Sequence, residues 1–402
     1  MILGKSALLR KIDPELMKPM RAMSNEKVGV IIYSRADCRG NCKEKLEKLG
    51  VQVKYNLPLI DGYAFDVPYN QLMDLASLRD VKYIASDISV KTLMHIASRT
   101  VGTDKISNLG LTGKGIGIAF IDTGIYPHPD FLSPKNRIVA FKDFVKGKEL
   151  PYDDNGHGTF VAGVAAGNGY SSRGKYRGIA PEANIIALKS MDREGGGSAS
   201  DILAAMQWIA DHQKEYNIRV LSLSLGTEVK RISSNDPLVR GVEALWEKGI
   251  TVVVAAGNSG PKSGTITSPG ISSKVITVGA LDDKRTPSID DDTIAKFSSR
   301  GPVGRMHKPD VVAPGVDIVS VKSDVEYEAG ARIRPMATSY TTMSGTSMAT
   351  PIVGGAAVLM LEKHPDWKPD QIKEALLKNA TSIVKDPDAE GRGLINLEKC
   401  LK

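Results

Sequence analysis

Three short segments each place one reactive side chain beside glycines: Asp122 in Ile-Asp-Thr-Gly, His157 in Asn-Gly-His-Gly-Thr and Ser347 in Gly-Thr-Ser-Met-Ala. A serine hydroxyl is a weak nucleophile near neutral pH until an imidazole accepts its proton and a carboxylate orients that imidazole. The chain order Asp, His, Ser is one of the few in which known folds deliver these groups. We therefore predict a hydrolase in which Ser347 attacks, His157 moves the proton and Asp122 orients the imidazole.

Each of these residues has an alternative interpretation. Ser347 is incidental if Ser344 or Thr346 simply caps a helix. His128 lies nearer to Asp122 along the chain than the proposed histidine does, and we interpret it as structural. Asp-Thr-Gly also occurs in aspartic proteases, which need a second such carboxylate. The sequence contains no second Asp-Thr-Gly or Asp-Ser-Gly, so that interpretation fails.

Five further segments follow the order found in one protein family: residues 222–226 (Ser-Leu-Ser-Leu-Gly), 255–260 (Ala-Ala-Gly-Asn-Ser-Gly), 297–302 (Phe-Ser-Ser-Arg-Gly-Pro), 308–315 (Lys-Pro-Asp-Val-Val-Ala-Pro-Gly) and 393–396 (Gly-Leu-Ile-Asn). With the three segments above, they resemble the subtilisin-like serine proteases (subtilases) from about residue 111 to residue 397. The resemblance implies a serine endopeptidase of the intracellular alkaline type. It also implies that the side-chain amide of Asn258 and the backbone N–H of Ser347 bind the oxyanion.

The same resemblance implies that a peptide substrate binds as an added strand between two extended segments. The residues implied on these segments are Gly195, Gly196 and Gly197 on one side and Ser224, Leu225 and Gly226 on the other. Glycine allows two backbones to approach closely, although three consecutive glycines are also typical of a flexible surface loop. Main-chain recognition implies broad specificity, with a side-chain pocket lined by Ala255, Gly257 and Thr267. We expect Thr267 to shorten that pocket.

The predicted chemistry requires no cofactor. Many subtilases hold a structural Ca²⁺ through an aspartate like Asp130 and the loop after the helix of the catalytic histidine. In this chain that loop, residues 167–177, has no carboxylate and several cations. The sequence therefore leaves a calcium site open without clear support. Two other acidic groups, residues 153–154 and 290–292, are explained equally well as solvated loops and as part of such a site.

Around these residues, β-branched segments alternate with helical segments. Strands are predicted at residues 116–121, 185–188, 220–223, 251–256 and 275–278, and the main helices at 157–166, 200–216, 237–248, 346–364 and 369–379. This alternation predicts an α/β fold with a mostly parallel sheet and helices on both faces. Ligands bind at the carboxyl ends of such strands, where Asp122 and residues 224–226 and 257–258 are expected. Pro351 is expected in the first turn of its helix, where a missing N–H costs little.

Residues 1–93 form a second predicted unit, ahead of a catalytic domain at residues 94–402. A short amphipathic helix over residues 1–20 precedes strand, helix, strand, strand, helix and strand segments at 28–34, 42–49, 51–55, 62–67, 70–78 and 81–86. This order is that of a small ferredoxin-like unit. Subtilases carry a propeptide of this kind, which templates folding, inhibits the enzyme and is removed by self-cleavage. We expect the cut between Thr92 and Ile96, after Leu93 or Met94.

Composition narrows the function classes. The chain has 402 residues, 42% of them hydrophobic, and a net charge of +7. The charges are interspersed rather than gathered in a basic stripe, which argues against a nucleic-acid partner. No apolar run is long enough to cross a bilayer, no signal peptide is evident, and three cysteines are a poor disulfide framework.

We therefore expect a cytoplasmic zymogen that acts on proteins and peptides, has no membrane partner and is inhibited by its own propeptide. The alternative from another class is an inactive subtilase-like scaffold that binds peptides or regulates another protease. A third interpretation keeps the enzyme but limits its task to processing one protein.

Overall fold

The structure is a computed structural model that describes residues 8–17, 26–34, 46, 51–87, 89–92, 110–229, 233, 235–284, 286, 288–334 and 336–401. We refer to residues 8–87 as the N-terminal module and to residues 110–401 as the C-terminal module. The N-terminal module contains α1 (Pro14–Met17), β1 (Lys27–Ser34), β2 (Val53–Leu57), β3 (Gly62–Pro68), α2 (Leu72–Ser77) and β4 (Val81–Ser86). A separate strand, β5 (Ser89–Thr92), follows it.

The N-terminal module is built on an antiparallel sheet with strand order β2-β3-β1-β4. Its central strand β1 is buried on both faces. Val30 and Ile32 pack into the module's own core, whereas Ile31 and Tyr33 pack against the C-terminal module. Because alternate residues of a strand point to opposite faces, double burial accounts for the unbroken apolar sequence of β1.

The predicted segments of this module agree with the structure to within about two residues wherever they are described. The strand predicted at residues 51–55 begins two residues later, and a 3₁₀ turn (Pro58–Ile60) follows it. The helix predicted at residues 42–49 lies outside the described residues, apart from Leu46, which is helical and buried. The ferredoxin-like arrangement therefore stays a prediction.

The helix predicted over residues 1–20 is wrong in the part that the structure describes. Ile12 forms a parallel bridge with Ile84 of β4. Asp13 N donates to Ile84 O at 2.9 Å, and Ile84 N donates to Lys11 O at 2.7 Å. These bonds use backbone groups that a continuous helix would need, and a new short helix begins at Pro14, whose fixed φ suits a first helical position.

The C-terminal module carries the remaining elements. Its strands are β6 (Gly117–Asp122), β7 (Ile138–Asp143), β8 (Asn184–Lys189), β9 (Gly196–Ser198), β10 (Ile218–Leu223), β11 (Leu225–Gly226), β12 (Thr251–Ala255), β13 (Ile276–Asp282), β14 (Thr293–Ile294), β15 (Val311–Pro314), β16 (Ile318–Val321) and β17 (Tyr340–Met343). Its helices are α3 (Pro129–Leu132), α4 (His157–Ala166), α5 (Ala199–His212), α6 (Pro237–Glu247), α7 (Thr346–Lys363), α8 (Pro369–Asn379), α9 (Pro387–Glu390) and α10 (Leu397–Cys400).

The large sheet has the order β14-β13-β12-β10-β6-β8-β7, with β15 also paired to β13. All of these pairs are parallel except β13 with β14. Helices α4 and α7 pack together on one face, and α5 and α6 pack together on the other, where the N-terminal module docks. The predicted α/β fold with a mostly parallel sheet and helices on both faces is confirmed.

Element bounds differ from the prediction at a few places. The helix predicted at residues 200–216 ends at His212, and the chain then turns through Asn217, which has a left-handed φ of 47°. Strand β7 was not predicted, because it lies at the sheet edge and its residues are only partly buried. Within the described ranges, every helix is too short or too polar to cross a membrane.

Candidate active site

The parallel sheet brings its strand ends and two helix starts together. Asp122 is the last residue of β6, Ser224 follows β10, and Asn258 lies shortly after β12. His157 is the first residue of α4, and Ser347 is the second residue of α7. Because α4 and α7 pack on the same face, their N-terminal ends meet the carboxyl edge of the sheet. The predicted catalytic side chains therefore come from four different parts of the chain to one edge.

Asp122 and His157 form a buried hydrogen-bonded pair. Asp122 Oδ1 lies 2.8 Å from His157 Nδ1, and the exposed fractions of the two side chains are 2% and 0%. Burial alone lowers the pKa of His157, but the charge and hydrogen bond of Asp122 and the charge of Asp153 outweigh it, so the pKa is raised. The pair favours the imidazolium that forms when a histidine accepts a proton.

The other ring nitrogen, His157 Nε2, is buried and has no hydrogen-bond partner among the described residues. Ser347 Oγ donates to the backbone O of Ser224 at 3.2 Å rather than to this nitrogen. In enzymes without substrate, catalytic hydrogen bonds are often unformed and tighten only when substrate binds. The arrangement leaves one imidazole nitrogen available for a proton.

Helix α7 contains a proline whose position corrects the sequence analysis. Pro351 is the sixth residue of α7 and therefore lies in its second turn, not in its first. It has no N–H to donate to the carbonyl four residues earlier, which belongs to Ser347. Ser224 Oγ donates to that carbonyl at 3.0 Å instead. Ser224 and Ser347 are thus joined by two reciprocal hydrogen bonds, which fix the start of α7 to the end of β10.

Asn258 has one occupied side-chain atom and one free one. Its Oδ1 accepts from the backbone N and from Oγ1 of Thr346, both at 3.0 Å. Its Nδ2 is buried and finds no acceptor within the residues described. The bonds to Thr346 hold the amide beside the start of α7, so a free N–H donor lies next to the segment that carries Ser347. This is the chemistry that an oxyanion-binding group requires.

The two predicted peptide-binding segments hold a strand in the structure. β5 lies between β9 and β11 and is antiparallel to both. Val90 pairs with Gly197 and Lys91 with Gly196 on one side, while Thr92 pairs with Leu225 on the other. Gly195 precedes β9 with a left-handed φ of 76°. The glycines are thus part of an ordered three-stranded sheet rather than of a free surface loop.

Thr267 lies close to Gly257, which is expected to line the side-chain pocket, and to Gly226 of the expected peptide-binding segment. A Cβ built on Gly226 would lie 2.4 Å from Thr267 Oγ1, and one built on Gly257 would lie 2.7 Å from Thr267 Cγ2. Both glycines are therefore required by the close approach of Thr267. Ala255, the last residue of β12, is fully buried in the same region of the sheet.

His128 and Asp130 stand apart from the pair of Asp122 and His157. His128 is buried, and its Nδ1 accepts from Asp130 N at 3.1 Å, capping α3. Asp130 Oδ1 accepts from Ser171 N at 2.9 Å and Oδ2 from the hydroxyl of Tyr340 at 2.8 Å. These donors occupy the carboxylate that a calcium site would need, so the residues present do not fit such a site. No cluster of three potential metal ligands occurs among the described residues.

The acidic groups for which the sequence allows solvated loops include buried carboxylates. Asp153 is 1% exposed and Asp292 is 7% exposed. Asp154 pairs with the buried Lys189, with Oδ1 and Nζ 2.7 Å apart. The signal that could have revealed Asp153 is its place four residues before His157, because an aspartate just before a helix commonly accepts from the free N–H groups of the first turn.

The chain is similar in sequence to known proteins. The model of the subtilase family matches residues 113–394. The chain is 43% identical over 397 residues to serine protease AprX of Bacillus subtilis strain 168, covering 94% of this chain and 88% of that protein. It is 35% identical over 291 residues to subtilisin Savinase of Lederbergia lenta, covering 72% of this chain and 92% of that protein.

A solved structure is also similar. Fervidolysin from Fervidobacterium pennivorans, a keratinolytic enzyme related to subtilisin, matches with a TM-score of 0.74 and 22% identity. The match covers 94% of this chain and 61% of that one. At this identity the likeness concerns the fold.

Proposed function

The chain belongs to the subtilase family of serine endopeptidases, and from this premise we propose that Ser347, His157 and Asp122 are its catalytic triad and that it is made as a self-processing zymogen. The observation that carries the proposal is the buried pair of Asp122 and His157, 2.8 Å apart, with His157 Nε2 left free. An imidazole held in this way can accept a proton from a nearby hydroxyl.

Hydrolysis would proceed in two stages. Ser347 Oγ attacks the carbonyl carbon of the scissile peptide bond while its proton moves to His157 Nε2. As the tetrahedral intermediate collapses, His157 gives this proton to the leaving amine, and an acyl-enzyme forms. A water molecule then loses a proton to His157 and attacks the ester, and the proton returns to Ser347 as the acid product leaves.

Asn258 would act on the charge rather than on the proton. As the substrate carbonyl oxygen becomes an oxyanion, the free Nδ2 of Asn258 would donate a hydrogen bond to it. The backbone N–H of Ser347, at the N-terminal end of α7, would supply the second donor. Because the amide is already fixed by Thr346, little reorganisation is needed when the charge appears.

The position of β5 supports self-processing. A peptide strand inserted between β9 and β11 is the arrangement expected of a bound substrate. Thr92 pairs with Leu225, the residue directly after Ser224, whose carbonyl accepts from Ser347 Oγ. The end of β5 therefore lies beside the segment that holds the proposed nucleophile, and we propose a processing site between Thr92 and Ile96, after Leu93 or Met94. Pairing through backbone atoms also supports broad specificity, with a pocket shortened by Thr267.

Contacts between the modules support an inhibitory role for the N-terminal module. Asp87, directly after β4, accepts from Ser200 N at 2.8 Å at the start of α5. Tyr55 Oη donates to Asp201 Oδ1 at 2.8 Å, and Tyr33 Oη donates to Asn235 O at 2.9 Å. These polar contacts and the buried face of β1 would retain the module after cleavage, with β5, the strand that follows it, in the substrate position.

The experiment is a time course of intact mass for the purified full chain incubated alone, with Ser347→Ala as the matched variant. The proposal predicts that the wild-type chain yields a fragment ending between Thr92 and Ile96, and that Ser347→Ala stays intact and hydrolyses no peptide. An intact wild-type chain without peptidase activity would favour the inactive scaffold. Cleavage of Ser347→Ala at the wild-type rate would exclude the mechanism.

A further inference from the structure

Asp153 is a buried carboxylate for which the triad chemistry has no use. Its Oδ1 accepts from Asn155 N at 3.2 Å, from Gly156 N at 2.8 Å and from Thr123 Oγ1 at 2.8 Å. Its Oδ2 accepts from the backbone N of Thr159 at 2.8 Å and from its Oγ1 at 2.6 Å. A carboxylate with this many donors is held firmly, and it holds each donor in return.

These donors lie on both sides of the pair of Asp122 and His157. Asn155 and Gly156 immediately precede His157, and Thr159 is the third residue of α4. Gly156 occupies the N-cap position of α4 without a side chain, so Asp153 supplies the capping acceptor from outside the helix.

Thr123 provides the link to the strand. It immediately follows Asp122 at the end of β6, and its Oγ1 accepts from Gly158 N at 2.9 Å while donating to Asp153. The start of α4 and the end of β6 are therefore joined through one carboxylate and one hydroxyl. A Cβ on Gly158 would lie 2.3 Å from the backbone O of Gly124, so the two segments are also in close contact.

Resting on the proposed function, we propose that Asp153 is a positioning residue of the triad, which holds the helix start carrying His157 against the strand end carrying Asp122. The residue itself does not touch the reacting atoms. It fixes the geometry of the 2.8 Å hydrogen bond between Asp122 and His157 and the direction in which the free Nε2 points. Small displacements of a catalytic base are costly, because the reacting atoms must be in near-contact before the reaction.

Asp153 also acts through its charge. Burial lowers the pKa of His157, whereas the charge and hydrogen bond of Asp122 raise it. The negative charge of Asp153 also raises this pKa, by a smaller amount than Asp122 does. Several other charged groups on the neighbouring elements form ion pairs: Asp154 with Lys146 and Lys189, and Glu326 with Arg193. Positioning and charge thus come from the same carboxylate, and different measurements can separate them.

The first test is Asp153→Asn in the full chain, assayed on a short peptide substrate across a pH series. The asparagine side chain keeps one acceptor oxygen but replaces the other with an NH₂ group, which would face the N–H and O–H donors that now bind the carboxylate. We therefore expect kcat to fall by about 10²-fold with KM nearly unchanged. Loss of the negative charge removes support for the imidazolium. The acid limb of the kcat/KM profile, which follows deprotonation of His157, should therefore move to lower pH.

A second variant keeps the charge and breaks one link. Thr123→Val removes the hydroxyl that joins Asp153 to Gly158 and is expected to lower kcat by about tenfold, the cost of one lost hydrogen bond to a charged group. Its acid limb should stay at the wild-type pH, because Asp153 remains ionised. This variant decides the positioning claim if Asp153→Asn does not fold.

Glu390→Gln is the matched control for loss of a buried carboxylate. Glu390 is also 1% exposed and accepts from the backbone N–H groups of Ile383 and Val384. It should lose stability while keeping the wild-type kcat and pH profile.

Wild-type kcat in both Asp153→Asn and Thr123→Val would overturn the proposal. So would a loss of activity that only matches the unfolded fraction, as measured in the same samples. Failure of the proposed function itself has a different signature, namely hydrolysis that persists in Ser347→Ala.

Discussion

At the scale of single residues, His157 Nε2 and Asn258 Nδ2 are among the buried side-chain atoms that lack a hydrogen-bond partner within the described part of the chain. An unpaired buried polar atom costs stability, and such atoms are few in folded proteins. Both belong to residues whose other polar atoms are paired, His157 to Asp122 and Asn258 to Thr346. The side chains are therefore fixed while one atom of each remains available. A substrate that enters the site would satisfy both atoms in the course of the reaction.

The first prediction concerns Asn258. Asn258→Ala removes the free Nδ2 donor. We expect kcat to fall on the order of 10²–10³-fold with little change in KM, since this is the loss typically found, in a subtilisin for example, when one oxyanion-binding donor is removed. Steady-state kinetics on a peptide substrate would measure this.

The variant also deprives Thr346 of its acceptor, so Thr346→Val serves as the comparison. Removing only the hydroxyl of Thr346 should lower kcat far less. An equal loss in the two variants would mean that Asn258 acts by supporting α7 and not through its free amide.

At the scale of elements, the start of α7 is fixed by neighbours rather than by the helix itself. Because Pro351 has no N–H to donate, the carbonyl of Ser347 accepts a hydrogen bond from Ser224 Oγ, just after the end of β10. Ser347 Oγ returns a bond to the carbonyl of Ser224. Ser347, the proposed nucleophile, is therefore positioned by the strand end as much as by its own helix.

The second prediction tests this link through two serines of one segment. Ser224→Ala leaves the carbonyl of Ser347 without its donor, so we expect a loss of about 1 kcal/mol in the free energy of unfolding, and a several-fold lower kcat from the displaced helix start. Ser222 Oγ, by contrast, is buried without a partner in the described structure. Ser222→Ala should be neutral or stabilising with unchanged kcat. Equal effects of the two substitutions on stability and kcat would contradict the account of α7.

Elements bounded by strong local signals could be predicted from sequence. Helices α4 and α8 have the predicted bounds because Gly156 precedes one and Pro369 begins the other. Strand β7 was missed because an edge strand alternates only weakly between buried and exposed residues. The local pattern around α1 predicts a longer helix, because Ile84, the residue with which Ile12 pairs, is distant in sequence. Local patterns do not reveal long-range backbone pairing.

The same limit applies to the site. Asp122, His157, Ser347 and Asn258 lie in recognisable motifs, and the sheet brings them to one edge. For Asp153 the sequence allows a solvated loop equally well, because it shows a carboxylate in a polar segment but not the donors that surround it. Its burial depends on Thr123, 30 residues away.

At the scale of the whole molecule, stability depends on charges that the fold forces together. Asp292, beside β14, is mostly buried at the end of the loop that connects β13 to β14, where the charges of Asp283, Asp291 and Asp282 act on it. Its pKa is raised from 3.8 to about 6, mainly by burial and secondly by the negative charges of these neighbours. The folded chain therefore binds a proton at Asp292 more tightly than the unfolded chain does.

The third prediction follows from this sign. With the folded pKa raised, the contribution of Asp292 to stability is complete below about pH 4 and is lost as the pH rises through 6. Asp292→Asn should remove this loss and stabilise the chain at pH 7, on the order of 1 kcal/mol because water screens part of the repulsion.

Denaturant unfolding at pH values from 4 to 7 would measure the effect, with both variants made in the Ser347→Ala background to prevent self-digestion. Asp290→Asn, at an exposed position of the same loop, is the control and should change stability little at any pH. If Asp292→Asn were less stable than its parent at pH 7, the interpretation of this loop would be wrong.

The most direct test of the whole account is to map the adduct of a fluorophosphonate probe on the processed chain by peptide mass spectrometry. The account predicts one modified residue, Ser347, in the wild-type chain. In His157→Ala the rate of modification should fall by about 10²-fold or more, because the hydroxyl then lacks its base. Modification of a different residue, or modification of Ser347 at the wild-type rate in His157→Ala, would contradict it.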